Sequence, residues 1–466
     1  MNKRVAVIGA GVSGMACALR LRQASGLEVE VHEAAAQPGG VTQSSQRDGF
    51  RLECGPDSML SIKPAALGLL RELGLEAEIQ STRPQARTSL IARGRRLIPV
   101  PEGVYLMAPG RMLPFARSPL ISWPGKLRMG LDLILPRRNP ELPEESLAAF
   151  VRRRLGREGL ERLAQPLIGG IYTANPERLS LAATMPQFVD MERSHRSLIL
   201  AMRARSQAMG SAAASGPRYG LFVTLRSGLG RLSQVMAEGL GDVLHCDSVA
   251  TSCRRRPAGG WILGFADGRA QDYDQVVLAL PAHRSAALLE GDDLLSRLLG
   301  GIAYANIATV NIALRREDIG QLPQAAGFVV PAVDHHSLIA CTFVDQKYEH
   351  RAPEGCVLLR AFCGGAMHPE DLQCSDEALV NRVLAEIDWR FGLRRAPLFT
   401  QVNRWPRAMA QYELGHQRRC DLIDGALALR PGLHLIGNGL RGVGIPDVVQ
   451  QGWNVAERIL SASAVP

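Results

Sequence analysis

Lysine is nearly missing from this 466-residue chain. It occurs four times (Lys3, Lys63, Lys126, Lys347), so 50 of the 54 cationic side chains are arginines. Aromatic residues make up only 5%, and no basic stretch interleaved with aromatics forms a nucleic-acid module, so no nucleic-acid partner is expected. The nine cysteines are odd in number and contain no C-x-x-C, while the ten histidines form neither H-x-x-x-H nor a Cys/His cluster. That pattern speaks against a disulfide framework and a metal site, and for a reducing compartment. Long apolar runs are also lacking. The run Val5–Ile8 stops at Gly9, too short for the apolar core of a signal peptide. The longest uncharged apolar stretch, Ile302 to Leu314, falls short of the roughly 20 residues of a spanning helix. A soluble or peripheral protein is expected.

What is present suits a large folded core: 46% hydrophobic and 21% charged residues, with a length that predicts two or three domains at about 150 residues each. The first 40 residues read as strand, turn, helix and strand. Arg4–Ile8 is a short buried strand, and Gly9-Ala10-Gly11-Val12-Ser13-Gly14 follows at once. A helical pattern comes next, and Glu28–His32 alternates as a second strand ending on Glu33. A lone G-x-G-x-x-G is a weak signal; a strand before it, a helix after it and an acid on the second strand make it a dinucleotide-binding turn. Gly9 makes the tight turn, Gly11 admits a pyrophosphate, and Gly14 lets helix and strand pack closely. The helix N-terminus offers free N–H groups to phosphates, and Glu33 suits a ribose while repelling a 2′-phosphate.

After Glu33 the chain continues Ala34-Ala35-Ala36-Gln37-Pro38-Gly39-Gly40-Val41, a paired-glycine turn where a simple NAD domain would enter its next helix. Phe50–Glu53 reads as a strand running into the turn Gly55-Pro56-Asp57-Ser58. Later pieces are scattered: a helix from Gly228 to about Leu240, strands at His245–Thr251, Trp261–Phe265 and Asp274–Leu280, a strand into the turn at Gly437-Asn438, and a closing helix over Asp447–Leu460. Ser146 is positioned to cap a helix through Arg154, residues 206–220 read as a flexible connection, and Asp376–Phe391 as a helix.

The paired-glycine turn resembles that of the amine-oxidase superfamily, with Gln37 where members usually carry arginine. Further segments resemble the oxygen-using protoporphyrinogen oxidases, flavoenzymes of late haem synthesis. They are Gly55–Ser58, Leu167-Ile168-Gly169-Gly170-Ile171-Tyr172, Gln411-Tyr412-Glu413-Leu414-Gly415-His416, and Gly437-Asn438 with Gly442-Val443-Gly444-Ile445, in consistent order along nearly the whole chain. The resemblance implies an α/β and α+β protein in three parts. A Rossmann-like two-dinucleotide-binding FAD domain comprises 1–85, 218–290 and 406–466. A mixed-sheet substrate domain comprises 86–105 and 291–405, and a helical, membrane-associating lobe comprises 106–217.

It implies FAD, bound non-covalently. The pyrophosphate would lie on Gly9, Ala10, Gly11, Val12, Ser13 and Gly14, the ribose on Glu33 and Ala34, and the adenine on the Val249 backbone. Gly40 and Val41 would line the path to the flavin, whose reacting end would meet Gly55, Pro56, Asp57, Ser58, Trp405, Asn438, Val443, Gly444 and Ile445. Arg87 would pair a substrate propionate, with Leu167, Gly170, Phe328 and Val329 against the macrocycle. The implied reaction is protoporphyrinogen to protoporphyrin by successive hydride transfers to FAD, with dioxygen as acceptor giving hydrogen peroxide. No residue is assigned as general base. Coproporphyrinogen oxidation and a non-catalytic porphyrin carrier stay open as alternatives. An amine oxidase is disfavoured, because residues 290–346 contain no lysine. A homodimer is compatible with the resemblance.

The substrate half departs from the family pattern: Gly327-Phe328-Val329-Val330-Pro331 is shortened, and Ala410 replaces the proline before Gln411-Tyr412. The net charge of +9 is local. Residues 87–157 hold 14 Lys+Arg against 5 Asp+Glu, which accounts for the whole excess. Within that segment Phe115, Leu120, Ile121, Trp123 and Leu127 alternate with Arg111, Arg117, Lys126 and Arg128. The pattern suits an anionic membrane surface and a cytoplasmic protein peripheral to its membrane.

Overall fold

Val5, Ala6, Val7 and Ile8 are all buried, the mark of a strand covered on both faces. Strand Lys3–Ile8 is accordingly central in a five-stranded sheet. The computed structural model describes residues 2–211, 221–289, 291, 293–334 and 336–463. Across this sheet the order is Leu244–His245, Leu27–His32, Lys3–Ile8, Gln275–Leu278 and Leu433–Leu435, and every pair is parallel. Its strands come from three separated stretches of chain, which explains the scattered α/β signals. On one face the first helix, Val12–Arg22, lies against the closing helix, Ile445–Ser463. Gly452 permits that approach, since a Cβ there would stand 2.6 Å from the Ser13 carbonyl oxygen. The strand expected at His245–Thr251 is in fact two. Leu244–His245 ends the parallel sheet, the chain turns at Asp247 with φ +53°, and Ala250–Arg255 opens a separate antiparallel sheet with Trp261–Phe265 and Ala270–Tyr273.

A seven-stranded mixed sheet forms the second layer. Its order is Phe399–Ala410, Tyr304–Arg315, Cys356–Gly364, Leu338–Phe343, Gly327–Val329, Ser89–Arg93 and Arg96–Pro99. Only the contact of Gly327–Val329 with Ser89–Arg93 is parallel. Alternation splits this sheet's faces. Val310, Ile312, Leu314, Leu359, Ala361 and Cys363 pack on Leu379, Val383 and Ile387 of helix Asp376–Phe391. Thr309, Asn311, Arg360, Gln401, Asn403 and Trp405 occupy the other, polar face, which turns toward the parallel-sheet layer. Strand Phe399–Ala410 runs unbroken through the domain boundary expected at 405/406.

The helical lobe folds around Leu147, Phe150, Val151, Leu163 and Phe188. Ser146 caps helix Leu147–Gly159 by accepting from the Ala149 N–H at 3.1 Å, and the helix is broken by a kink at Gly156 (φ +82°, ψ 175°), two residues beyond the end expected at Arg154. Phe115, Leu120 and Ile121, expected at a membrane face, belong to this core instead. Trp123 and Leu127 do stand in solvent, 67% and 73% exposed, joined by Leu113, Leu131 and Ile134. Of the expected flexible connection, helix Leu198–Ser211 takes the first part, and 212–220 lie outside the described residues. No helix among the described residues is long and apolar enough to cross a membrane.

Candidate active site

The glycine turn is built by contacts that exclude side chains. Gly9 has φ +102° and a Cβ there would meet the Ala279 carbonyl oxygen at 2.6 Å; one on Gly14 would meet the Gly9 oxygen at 2.0 Å. Gly11 is different: its missing Cβ points into open space, with nothing within 4 Å. The turn is thus tight where protein meets protein and open on the side a phosphate would approach, above the N-terminus of helix Val12–Arg22, which has no side-chain cap. Glu33 sits at the end of the second strand, accepting from the Ala10 N–H at 2.8 Å and the Ala35 N–H at 2.9 Å. Ser248 donates its N–H to the Glu33 carbonyl at 2.8 Å, which brings Val249 beside exposed Ala34. The Gly39 N–H donates to the Ala10 carbonyl at 2.8 Å, so the paired-glycine turn lies on the first one. Gly40 faces the Gly11 Cα, and a Cβ on Gly55 would stand 1.7 Å from the Val41 carbonyl oxygen. These residues form one continuous cradle with open backbone, and they fit FAD.

At the far end of the cradle, Gly55–Ser58 and the C-terminal turn are both braced from outside. Asp57 pairs with Lys347 at 2.9 Å and accepts from the Ser58 hydroxyl at 2.7 Å. Burial opposes its charge, yet Lys347 and Arg360 prevail and hold its carboxyl well below the usual range. Trp405 donates its indole N–H to the Cys54 carbonyl at 2.7 Å. Tyr412 bridges the C-terminal turn, donating to the Asn438 carbonyl at 2.7 Å and accepting from the Gly442 N–H at 2.8 Å. His416 stacks on Tyr412 with ring centroids 4.0 Å apart and sits 2.7 Å from the Leu440 carbonyl. The Asn438 side chain is turned to the Ala408 carbonyl at 3.0 Å, and Gly444 donates to Asp447 at 3.3 Å ahead of Ile445. Sequence alone assigns Tyr412 and His416 no role, and the fold shows that they shape the turn.

Of the candidate substrate residues, Gly170 and Val329 come together: a Cβ on Gly170 would lie 3.5 Å from Val329 Cγ1. Leu167 is half-buried on the same helix, Gln165–Tyr172. Phe328 does not join them. Strand alternation turns it to the opposite face, 2% exposed, where it packs near Phe343 and Phe391 with the Arg390 guanidinium 5.1 Å from its ring. Arg87 is exposed just before strand Ser89–Arg93, the partner of Gly327–Val329. Among the described residues no group of three or more His, Cys, Asp or Glu is placed to hold a metal ion.

A parallel sheet carrying a glycine turn open to a phosphate, joined to a mixed sheet whose polar face holds the Glu53–Gly55 segment, is the architecture of an FAD-dependent oxidoreductase. The chain belongs to the flavin-containing amine oxidoreductase family, whose model matches residues 12–460. It is 34% identical to the coproporphyrinogen III oxidase of Propionibacterium freudenreichii, over 98% of this chain and 90% of that one. Identity is 33% to the coproporphyrinogen III oxidase of Bacillus subtilis, over 97% and 96%. With the chloroplastic protoporphyrinogen oxidase of Nicotiana tabacum it is 28%, over 97% and 84%. A crystal structure of a proposed protoporphyrinogen oxidase from Exiguobacterium superposes with a TM-score of 0.87 at 29% identity, covering 99% of both chains. The fold and the FAD cofactor expected from the sequence stand.

Proposed function

We propose that this protein oxidises a porphyrinogen to the porphyrin in the cleft between its two layers, with dioxygen as final acceptor. The observation that supports this reading is that helix Gln165–Tyr172 brings Gly170, which has no side chain of its own, next to Val329, where a Cβ would lie 3.5 Å from Val329 Cγ1, so that no bulky group at this position would stand against a broad macrocycle. FAD supplies the two-electron acceptor, and six electrons leave the porphyrinogen in three turnovers, each ending with dioxygen reduced to hydrogen peroxide. The chain's own contribution is to orient and to exclude water. Gly55–Ser58 and the turn from Asn438 to Ile445 frame the reacting end, the closing helix directs its N-terminal dipole there, and Arg87 offers a planar fork to a propionate.

Between the two tetrapyrroles, the relatives' names favour coproporphyrinogen, reversing the order expected from sequence motifs. Three coproporphyrinogen III oxidases share 31–34% identity with this chain, and the plant protoporphyrinogen oxidases 24–28%. Steady-state oxidation of both porphyrinogens, followed by porphyrin fluorescence, tests the choice: kcat/KM is expected to be higher for coproporphyrinogen, and a preference for protoporphyrinogen refutes it. Arg87→Met should raise KM about tenfold with kcat little changed, as expected for loss of a charged contact used equally in ground and transition states. An unchanged KM removes Arg87 from the site. The exposed apolar stripe of the lobe supports a further role, bringing the enzyme to an anionic membrane surface.

A further inference from the structure

Three adjacent strands of the mixed sheet each send one side-chain N–H to the end of strand Phe50–Glu53. Asn311 donates to the Glu53 carbonyl at 3.3 Å, Trp405 to the Cys54 carbonyl at 2.7 Å, and Arg360 to the Gly55 carbonyl. The three acceptors are consecutive and lead directly into Pro56-Asp57-Ser58. Neutral donors serve two of them, so a charge is not needed for this task.

Arg360 nevertheless carries one into the interior. It is 2% exposed, and its Nε is buried without a hydrogen-bond partner. The nearby carboxylates are already engaged. Glu53 pairs with Arg351 at 3.0 Å and also accepts from Ser44 and the Leu229 N–H, while Asp57 pairs with Lys347 at 2.9 Å. Arg351, Lys347 and Arg360 thus face Glu53 and Asp57, three cations to two carboxylates, and Arg360 is the one left over. A buried cation that only shares Asp57 and Glu53 with two closer-paired cations is costly to keep, and arginine nevertheless stays charged.

We propose that Arg360 is a positioning residue for the flavin's reacting end: it holds the Gly55 turn in place, and its surplus buried charge favours the electron-rich, reduced cofactor. This rests on the reading above, in which Gly55–Ser58 meets the flavin. Between unit charges separated by roughly 8–12 Å, an effective dielectric of about 20 shifts a one-charge equilibrium by roughly 10- to 30-fold. For a two-electron couple that is about 30–45 mV.

The test uses purified holoenzyme as wild type, Arg360→Met, Arg360→Lys and Asp57→Asn. Two readouts besides activity are the midpoint potential of bound FAD and the dissociation constant for sulfite, which adds to flavin and leaves negative charge on the ring. Arg360→Met should lower the potential by about 30–45 mV and weaken sulfite binding about 10- to 30-fold. Arg360→Lys keeps the charge and should stay within a few-fold of wild type. Asp57→Asn removes a carboxylate from the cluster and should move both readouts the opposite way, a check that holds even if Arg360→Met does not fold. Unchanged readouts in FAD-loaded Arg360→Met, equal losses in Met and Lys, or a lowered or unchanged potential in Asp57→Asn would each overturn the proposal. A wild type that oxidises no porphyrinogen but shows these shifts fails the functional reading alone; an active wild type without them fails this inference alone.

Discussion

Gly11→Ala should cost FAD while leaving the apoprotein nearly as stable, and Gly14→Ala should damage the fold itself. The two positions lie three residues apart in one turn, yet their missing side chains face different things. At Gly11 a Cβ meets no protein atom within 4 Å, so the protein pays only for poorer capping, up to about 1 kcal/mol. A methyl group there enters the volume assigned to the pyrophosphate and displaces one or two charge-assisted hydrogen bonds at about 1.5–3 kcal/mol each. Taking about 3 kcal/mol, the FAD dissociation constant should rise roughly 150-fold. At Gly14 the Cβ would stand 2.0 Å from the Gly9 carbonyl oxygen and 3.0 Å from the Ala279 Cβ. Backbone cannot rotate away as a side chain can, so the strain of roughly 1–3 kcal/mol or more outweighs the gain of about 1 kcal/mol from alanine's better helix propensity. The assay strips the flavin, records thermal unfolding of each apoprotein, and titrates FAD back while following quenching of its fluorescence. A Gly11→Ala protein that binds FAD as tightly as wild type would show that the phosphates do not lie on this turn.

The lobe and the titrating core give three more expectations. Trp123, Leu127, Leu131 and Ile134 recur at spacings of four, four and three and are 67%, 73%, 44% and 71% exposed; Trp123→Ser with Leu127→Ser should cut sedimentation with anionic liposomes at least tenfold, at about 1–2 kcal/mol per side chain, and equal sedimentation would end the membrane role. Asp132 and Arg154 are fully buried together, with Ser197 and the Ile199 N–H also on the carboxylate. Asp132→Ala should therefore destabilise by about 3–5 kcal/mol in urea melts because it strands the guanidinium, and a loss under 1 kcal/mol would contradict that. Burial, the main cause, lowers the His32 and His434 pKa values to about 4 from the usual 6.5. Both stay neutral in the fold while the unfolded chain takes up protons, so their contribution is intact above pH 6.5 and is lost as pH falls toward 4. Each accounts for up to about 3 kcal/mol; His434→Gln should flatten the decline of the urea midpoint over that window, and an unchanged slope would refute the assignment.

The parts legible in the sequence are those whose meaning is local. Gly9 to Gly14 between a strand and a helix, with Glu33 closing the next strand, specify the turn because each residue's task is set by neighbours within one βαβ unit. The stretch His245–Thr251 marks the limit of local meaning: it is short enough to read as one strand, while the turn at Asp247 that divides it answers to two different sheets. Phe328 illustrates the limit differently, since a motif gives a residue's position in the chain but not which sheet face it takes.

Charge is where the sequence is least informative, because a count of arginines says nothing of their partners. In the basic segment, Arg154 is sealed against Asp132. Arg153 is held by Glu145 and by Glu192, an acid outside that segment, and Arg128 is spent on the carbonyls of Arg152 and Arg153. The basic face offered to a membrane is therefore smaller than the excess of cations suggests, and the apolar stripe must carry more of any attachment. The converse holds in the cleft. Glu53 finds Arg351 and Asp57 finds Lys347 across separations of 298 and 290 residues, and those two pairings leave Arg360 as the surplus. A segment that looks uniformly basic is neutralised by its own fold only in part, at Arg153 and Arg154 above all, while the buried charge assigned to the flavin's end stands in a stretch that composition does not single out.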